Sequence, residues 1–391
     1  MDIPWPVMHR SCLCAILMRN RFGLNSFTAL CMPAKKMYRV GLAVGVGLFI
    51  IGLGLLLAGQ SYTAQFFLLV ALPLMAISFT GLGSLKSFSY TLWIFTAVCA
   101  AMYHPQLFTG IGNFSFKMLI VPLLQLIMFG VGCTMGLGDF TGVIKMPKGV
   151  VVGVVLQFTI MPMLGYSITK VFGFPAEIAA GIILVGCVPS GLASNVMSYI
   201  ANANVALSVT LTAVATLMAP IMTPLLMQWL AGEYVPVNFI SMMIDILKIV
   251  IIPIGGGLLF HYFLSSRFPA LIKLMPVVSM VSIAIIITII TAAGRDSLLE
   301  VGLLLVLACL LHNVLGYALG YGCCKLLRMD EKSCRTVALE VGLQNAGLAS
   351  GLALQMGRVA TVGLAPAVFG PLMNITGSSL ATWWHNKPVK E

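Results

Sequence analysis

Apolar residues run along this chain in blocks near twenty residues long, separated by short polar connections. The blocks fall near 41–59, 64–82, 90–104, 118–136, 149–170, 176–201, 204–231, 241–263, 274–293, 298–324, 336–357 and 361–383. Runs of this length and apolarity predict transmembrane helices, here about a dozen. The connections leave no room for a soluble domain. The expected architecture is therefore all-α, one polytopic helical unit, with a small additional module at its start.

Two blocks carry polar residues where a membrane span calls for apolar ones. One is TVALEVGLQNAGLASGLALQMGR, residues 336–358, which holds Glu340, Gln344 and Asn345. On a helix, Glu340 and Gln344 are four apart and share a face. The other is GCVPSGLASNVMSYIANANVALSVTLTAVAT, residues 186–216, in which Pro189-Ser190-Gly191 should break the helix. A matching weak point lies at Asn345-Ala346-Gly347, and the string GLAS follows each break, at 191–194 and 347–350. Broken helices are tolerated at membrane depth only where they line a cavity. Two interrupted spans in corresponding halves of a bundle point to a transporter site built on an internal inverted repeat.

Composition agrees with the pattern. Of 391 residues, 60% are hydrophobic and 8% charged, and the mean hydropathy is +1.04, more apolar than a soluble core requires. The net charge of +11 does not indicate nucleic acid, because the positive residues are sorted by loop. Lys35, Lys36 and Arg39 precede the first span; Lys145 with Lys148, Arg267 with Lys273, and Lys325, Arg328, Lys332 and Arg335 mark later loops; Lys387 and Lys390 lie near the end. All fall on one side if the N-terminus is cytoplasmic, which leaves Lys117, Lys170, Arg295 and Arg358 for the other. This bias places both termini in the cytoplasm. Residues 1–37 carry Arg10, Arg19, Arg21, Lys35 and Lys36 against the single acid Asp2. A transit peptide, a basic tail and an unused upstream start compete for them; a tail or a start at Met37 is expected.

The ten cysteines are scattered, without a CxxC pair or a Cys/His cluster at metal spacing, and read as small apolar fillers. Among the acids, Glu177 follows Pro175 at a helix start, where it complements the dipole. Asp245 stands three residues before Lys248, a spacing that suggests a helical ion pair. Glu340 has no Lys or Arg within four residues. A charge at bilayer depth costs at least about 2.5 kcal/mol, so an intramembrane carboxylate is a functional candidate by default. Around it the sequence offers oxygen ligands: Ser194 and Asn195 after the first break, Ser208 and Thr212 four apart on the next helix, and Gln157 in VVGVVLQFTIMP. Hydroxyls, amides, carbonyls and one carboxylate suit a hard monovalent cation such as sodium. The five histidines supply neither a nucleophile–base pair nor a metal cluster, so an intramembrane enzyme is disfavoured, and His312-Asn313 is expected to serve packing or hydrogen bonding. A channel would not need an occluding double break.

The segments VGCVPSGLASNVMSYIANANVALSVTLTAVATLMAPIMTPLL, EVGLQNAGLA and NITGSSLATWW resemble the bile acid:sodium symporter family, in its bacterial form, over about residues 90–385. The resemblance implies a ten-helix inverted-repeat core at 89–385, with halves at about 89–231 and 238–385 and two discontinuous crossing helices. Two further helices at 41–88 would precede it, after a tail at 1–40 and before a cytoplasmic tail at 386–391. It implies one sodium site from Ser194, Asn195, Ser208, Thr212 and Glu340. A second would use Gln157, Glu340 and Gln344 with the carbonyls of Val341 and Leu343. Ser190, Gly191, Leu192, Asn345, Met373 and Asn374 would lie at the substrate. The family often reads Pro-Gly-Gly-Thr at the first break, where this chain has Pro189-Ser190-Gly191-Leu192, and bacterial relatives often carry His where Met373 stands. Both departures touch the substrate cavity and leave the ion ligands intact. The expected function is sodium-coupled symport of a small organic anion, such as a bile acid, steroid conjugate, pantothenate precursor or keto acid. The alternative is proton-coupled or facilitative transport. The expected partners are the anion, sodium (two coupling ions, no other cofactor) and membrane lipid. A monomer in a bacterial inner membrane is expected, with the oligomeric state open.

Overall fold

The computed structural model describes residues 34–82, 85, 88–136, 138, 142–265 and 267–387. Of the tail expected at 1–40, residues 1–33 lie outside the described residues, as do 388–391 of the tail at 386–391.

The chain runs as a series of helices: α1 (Ala34–Leu57), α2 (Ser61–Thr80), α3 (Ser89–Tyr103), α4 (Gln106–Thr109), α5 (Ile120–Thr134), α6 (Gly142–Lys145), α7 (Pro147–Phe172), α8 (Ala176–Cys187), α9 (Leu192–Ile200) and α10 (Val205–Ala231). Then follow α11 (Phe239–Ile246), α12 (Ile252–Leu264), α13 (Pro269–Ala293), α14 (Arg295–Leu326), α15 (Glu331–Gly342), α16 (Ala346–Gln355) and α17 (Leu364–His385). A two-residue hairpin pairs Gly110-Ile111 with Phe114-Ser115 between α4 and α5. A wide π-turn, Leu247–Ile251, joins α11 to α12. Among the described residues, eight helices are long and apolar enough to cross a membrane, counting α11–α12 as one. The chain is an integral, multi-pass membrane protein. The other four expected spans coincide with α3, the pair α8/α9, the pair α15/α16 and α17.

Local chemistry sets these boundaries. Pro147 opens α7, where a missing N–H costs nothing, and Gly173 (φ +66°) closes it in the left-handed conformation. Asn204, Asn238, Asp330 and Asn345 cap α10, α11, α15 and α16 by accepting from the backbone N–H three residues on. Helix α1 starts at Ala34, so Lys35, Lys36 and Arg39 are helical rather than part of the expected tail. Long basic side chains are good helix formers, and their stems can lie along an apolar helix end while the charge reaches water.

The helices pack as two groups. One contains α3, α5, α11–α12 and α13, with the α1/α2 hairpin resting on α3. In it α5 and α12 touch backbone to backbone at Gly132 and Gly257, where a Cβ on either would collide with the other's main chain. The second group contains α7–α10, α14, α15 and α17. Helix α16 sits between them, contacting α5 and α13 on one side and α17 and α8 on the other.

The ion pair expected between Asp245 and Lys248 is absent among the described residues. Lys248 falls inside the π-turn that follows α11. Glu177 does open α8 as the dipole argument requires, and it also pairs with Arg358 and accepts from the Thr361 hydroxyl.

Candidate functional site

The two broken spans meet at their breaks. Helix α8 ends at Cys187, and Val188 to Gly191 runs extended before α9 begins. Helix α15 ends at Gly342, and Leu343 and Gln344 run extended to the Asn345 cap of α16. The break therefore lies at 343–345, just before the expected Asn345–Gly347 weak point. The extended stretches pair as an antiparallel bridge, Ser190 opposite Gln344. Gly191 N–H donates to the Leu343 carbonyl at 3.3 Å, and Asn345 N–H donates to the Pro189 carbonyl at 2.9 Å. Each interruption thus satisfies backbone groups that the other leaves unpaired.

Beside the bridge, Glu340 projects from the last turn of α15 and is 2% exposed. No Lys or Arg pairs with it among the described residues. Hydroxyls surround it instead. Ser190 Oγ donates to Oε2 at 2.5 Å, Ser208 Oγ donates to Oε1 at 2.5 Å, and Thr212 Oγ1 lies 3.0 and 3.2 Å from the two oxygens. Asn195 Oδ1 lies 2.8 Å from Ser208 Oγ and 3.3 Å from Thr212 Oγ1. Ser194 Oγ is 3.4 Å from Thr212 Oγ1 and donates to the Gly191 carbonyl at 2.7 Å. Two consecutive helices, α9 and α10, thus converge their oxygens on a carboxylate of α15, distant from them in sequence. A buried charge without a cationic partner carries a desolvation penalty of several kcal/mol. Hydroxyl donors offset part of it, and a bound cation would offset the rest.

The amide cluster lies on the other side of the α15 terminus. Gln157 Nε2 donates to Gln344 Oε1 at 2.9 Å and to the Val188 carbonyl at 3.2 Å. Gln344 Nε2 donates to the Val341 carbonyl at 2.6 Å. Gln157 Oε1 is buried and lacks a hydrogen-bond donor. An orphaned buried amide oxygen, in a cluster that Gln344 links to the Val341 carbonyl, is a donor set that fits a hard cation. The structure gathers Ser194, Asn195, Ser208, Thr212 and Glu340 in one cluster and links Gln157, Gln344 and the Val341 carbonyl in another; Glu340, expected at both positions, bonds only within the first, and the Leu343 carbonyl accepts from Gly191 N–H.

The residues expected at a substrate fall in two places: 190–192 lie against Asn345 across the bridge, and Met373 and Asn374 lie on α17. Ser190 is buried and spent on Glu340, so it belongs geometrically to the carboxylate cluster. Asn345 Oδ1 accepts from Leu348 N–H at 3.0 Å, and Asn374 Nδ2 donates back to the Gly370 carbonyl of its own helix at 2.9 Å. Met373 is buried, while Gly191 and Leu192 are half-buried.

His312 and Asn313 serve the hydrogen bonding expected of them, though their partners were not evident from spacing, and the burial of Arg335 was not evident at all. Asn313 on α14 donates to the Gly342 carbonyl at 2.8 Å and accepts from Thr376 of α17 at 2.5 Å, which ties the α15 terminus to two further helices. Its neighbour His312 bonds the Met161 carbonyl at 2.9 Å, as a structural histidine does. Arg335, assigned by charge to a loop, is buried in α15 and bonds Glu331 (3.0 Å) and the carbonyls of Ala201 and Trp384 (3.1 Å each). An amide in an apolar run and a basic residue five positions before Glu340 were the only signals available.

Comparison with known proteins identifies relatives along most of the chain. Residues 121–301 match the model of the Sodium Bile acid symporter family. The chain is 40% identical over 304 residues, 78% of its length and 92% of the relative's, to the "Uncharacterized sodium-dependent transporter YocS" of Bacillus subtilis. It is 34% identical over 314 residues to the "Probable sodium/metabolite cotransporter BASS1, chloroplastic" of Arabidopsis thaliana, covering 79% of this chain and 76% of that one. Similarity extends at 30% identity over 251 residues to the "Ileal sodium/bile acid cotransporter" of Cricetulus griseus, 62% of this chain and 71% of that one.

Proposed function

The chain belongs to the sodium bile acid symporter family, a family of transporters and not of enzymes, and from that premise we propose that it couples the entry of sodium to uptake of a small organic anion. The observation that carries this reading is the Glu340 carboxylate: buried, unpaired by any cation among the described residues, and ringed by hydroxyl oxygens from α9 and α10. One sodium ion would sit among Ser194, Asn195, Ser208, Thr212 and Glu340. A second would sit among Gln157, Gln344, Glu340 and the carbonyls of Val341 and Leu343, so that Glu340 serves both. On this reading the hydroxyls that now donate to Glu340 rotate to present lone pairs to the ion.

The transport core is proposed to be 89–385, an inverted repeat of two five-span halves. Each half carries its break in the fourth span: α8/α9 in the first and α15/α16 in the second. The helices at 41–88 are an addition to it. Helices α9 and α16 begin at the crossing and turn positive dipole ends towards it, which suits an anionic group near Asn345 and Asn374. Alternating access follows from rocking of the α7–α10/α14–α17 group against the α3/α5/α11–α13 group. The charge bias favours both ends of the chain on the cytoplasmic side, and the likeness to the Bacillus subtilis relative favours a bacterial inner membrane. The substrate class spans bile acids, steroid conjugates, pantothenate precursors and keto acids.

The test is uptake into proteoliposomes of a panel of small carboxylates, with an imposed sodium, potassium or proton gradient. Accumulation above equilibrium that requires inward sodium supports the proposal. Accumulation that follows only the proton gradient would assign Glu340 to a proton, and equilibration without accumulation would make the protein facilitative.

A further inference from the structure

Away from the crossing, a cavity of about 380 Å³ opens where α7, α10 and α15 begin. Its lining includes Lys145, Lys148 and Arg328, with Asp330 as the one acid, a balance of 3 − 1 = +2. None of the three cations is in an ion pair among the described residues. The Asp330 carboxylate is already engaged, accepting from Ser333 N–H at 2.9 Å as the cap of α15. Its neighbour Glu331 is taken by Lys325 and Arg335. Lys148 Nζ donates to the Leu327 carbonyl at 2.9 Å, which holds the ammonium at the cavity mouth and leaves it two further donors.

The three helix starts differ in one respect. Asn204 caps α10 and Asp330 caps α15 with side-chain oxygens, whereas α7 has no side-chain cap. The first N–H groups of a helix have no intrahelical partner, and an anion is the usual substitute. The uncapped first turn of α7, Pro147-Lys148-Gly149, lines this cavity. The volume suits a compact ligand group. Cations in excess, an uncapped helix start and an open cavity occur together at the end of the bundle that the charge bias places at the cytoplasmic surface.

We propose that this cavity binds the phosphate group of an anion, held between Lys145, Lys148, Arg328 and the first turn of α7. Such a group comes from two sources, an anionic lipid headgroup or a soluble phosphorylated compound. Bound phosphate would bridge the starts of α7, α10 and α15, the helices that carry Gln157, Ser208 with Thr212, and Glu340. The inference does not depend on sodium coupling, and its test is run without substrate.

Purified protein in zwitterionic detergent is titrated with short-chain phosphatidylglycerol, with phosphatidylcholine of the same chain length and with inorganic phosphate, and the thermal midpoint is followed. Phosphatidylglycerol should raise the midpoint and phosphatidylcholine should not. Each lysine or arginine near an anionic headgroup is worth about a fivefold change in half-saturation, so Lys145→Gln with Arg328→Gly should weaken binding roughly 25-fold. Arg328 has a left-handed backbone (φ +53°), so glycine is unstrained there, and the single Arg328→Gly variant with about a fivefold loss serves if the double variant does not fold. Saturation by inorganic phosphate that competes with the lipid identifies a soluble phosphorylated compound; a response to the lipid alone identifies a headgroup. A wild-type protein that does not distinguish the anions from phosphatidylcholine, or variants that titrate like wild type, would overturn the proposal.

Discussion

Replacing Glu340 with glutamine removes one charge from the centre of the hydroxyl cluster and keeps its shape. The side chain is 2% exposed, and the serine and threonine hydroxyls that donate to it can reverse to accept from an amide. Folding should therefore survive. Without sodium the variant should be at least as stable as wild type, because an unpaired buried charge has been deleted. Sodium binding should change in the opposite direction. A cation about 4 Å from a carboxylate gains about 4 kcal/mol at an effective dielectric constant of 20. Losing that attraction weakens sodium affinity on the order of a thousandfold. The assay is the thermal midpoint of purified protein in sodium against potassium at constant ionic strength, repeated as the sodium dependence of uptake. Sodium at about 100 times its dissociation constant should stabilise wild type by about 2.7 kcal/mol. It should leave Glu340→Gln unmoved at the same concentration. A variant whose half-saturation for sodium stays within about threefold of wild type would show that Glu340 does not hold the ion.

Ser208→Ala and Thr212→Ala each remove one neutral oxygen of several, so each should raise the sodium needed for half-maximal uptake by about fivefold, roughly 1 kcal/mol, without abolishing transport. Arg335→Ala breaks a buried ion pair and frees the Ala201 and Trp384 carbonyls, so it should cost about 3–5 kcal/mol and lower the thermal midpoint in both ions alike, unlike the site variants. In a background without the native cysteines, Lys332→Cys should be labelled only from the cytoplasm and Asp296→Cys only from outside, since α14 separates the two positions; labelling of both from one side would contradict the orientation. Two sodium ions with a monocarboxylate carry one net positive charge inward, so 100 mV inside-negative should add about 2.3 kcal/mol, near fiftyfold, to accumulation; equal uptake at zero potential would reduce the stoichiometry to one.

Much of this was legible because membranes make sequence pattern informative. Apolar length located the helices, and the Pro189 triplet located one break because proline removes a donor and clashes within a helix. Glu340 stood out because charge in a span is expensive. Partnership was harder to see. That Ser190 faces Glu340, and not a cavity, depends on how two extended strands align across 150 residues. The role of Asn313 depends on α14 crossing the end of α15, which no local spacing encodes. Arg335 looked like a loop charge because its neighbours are Lys332 and Arg328; only the docking of α9 and α17 supplies carbonyls that let a guanidinium be buried. Asp245 and Lys248 form no ion-pair contact among the described residues, and the spacing rule that suggested one assumes an α-helical turn where the chain makes a π-turn.

The bridge between the two breaks is made by main-chain atoms, Gly191 N–H to Leu343 and Asn345 N–H to Pro189. Hydrogen bonds of this kind are indifferent to most side chains at the positions that form them. On the proposed reading, a side-chain change at Leu192 alters the surface offered to the anion while this main-chain frame stays in register, whereas Ser190 and Gln344 are bound into the polar clusters themselves. Leu192, where the resemblance leads one to expect Thr, is such a change, while Ser190 adds a hydroxyl to the carboxylate cluster. A scaffold of this design separates the heritable part of specificity from the heritable part of energy coupling. One lineage can then try many cargoes without relearning how to be driven.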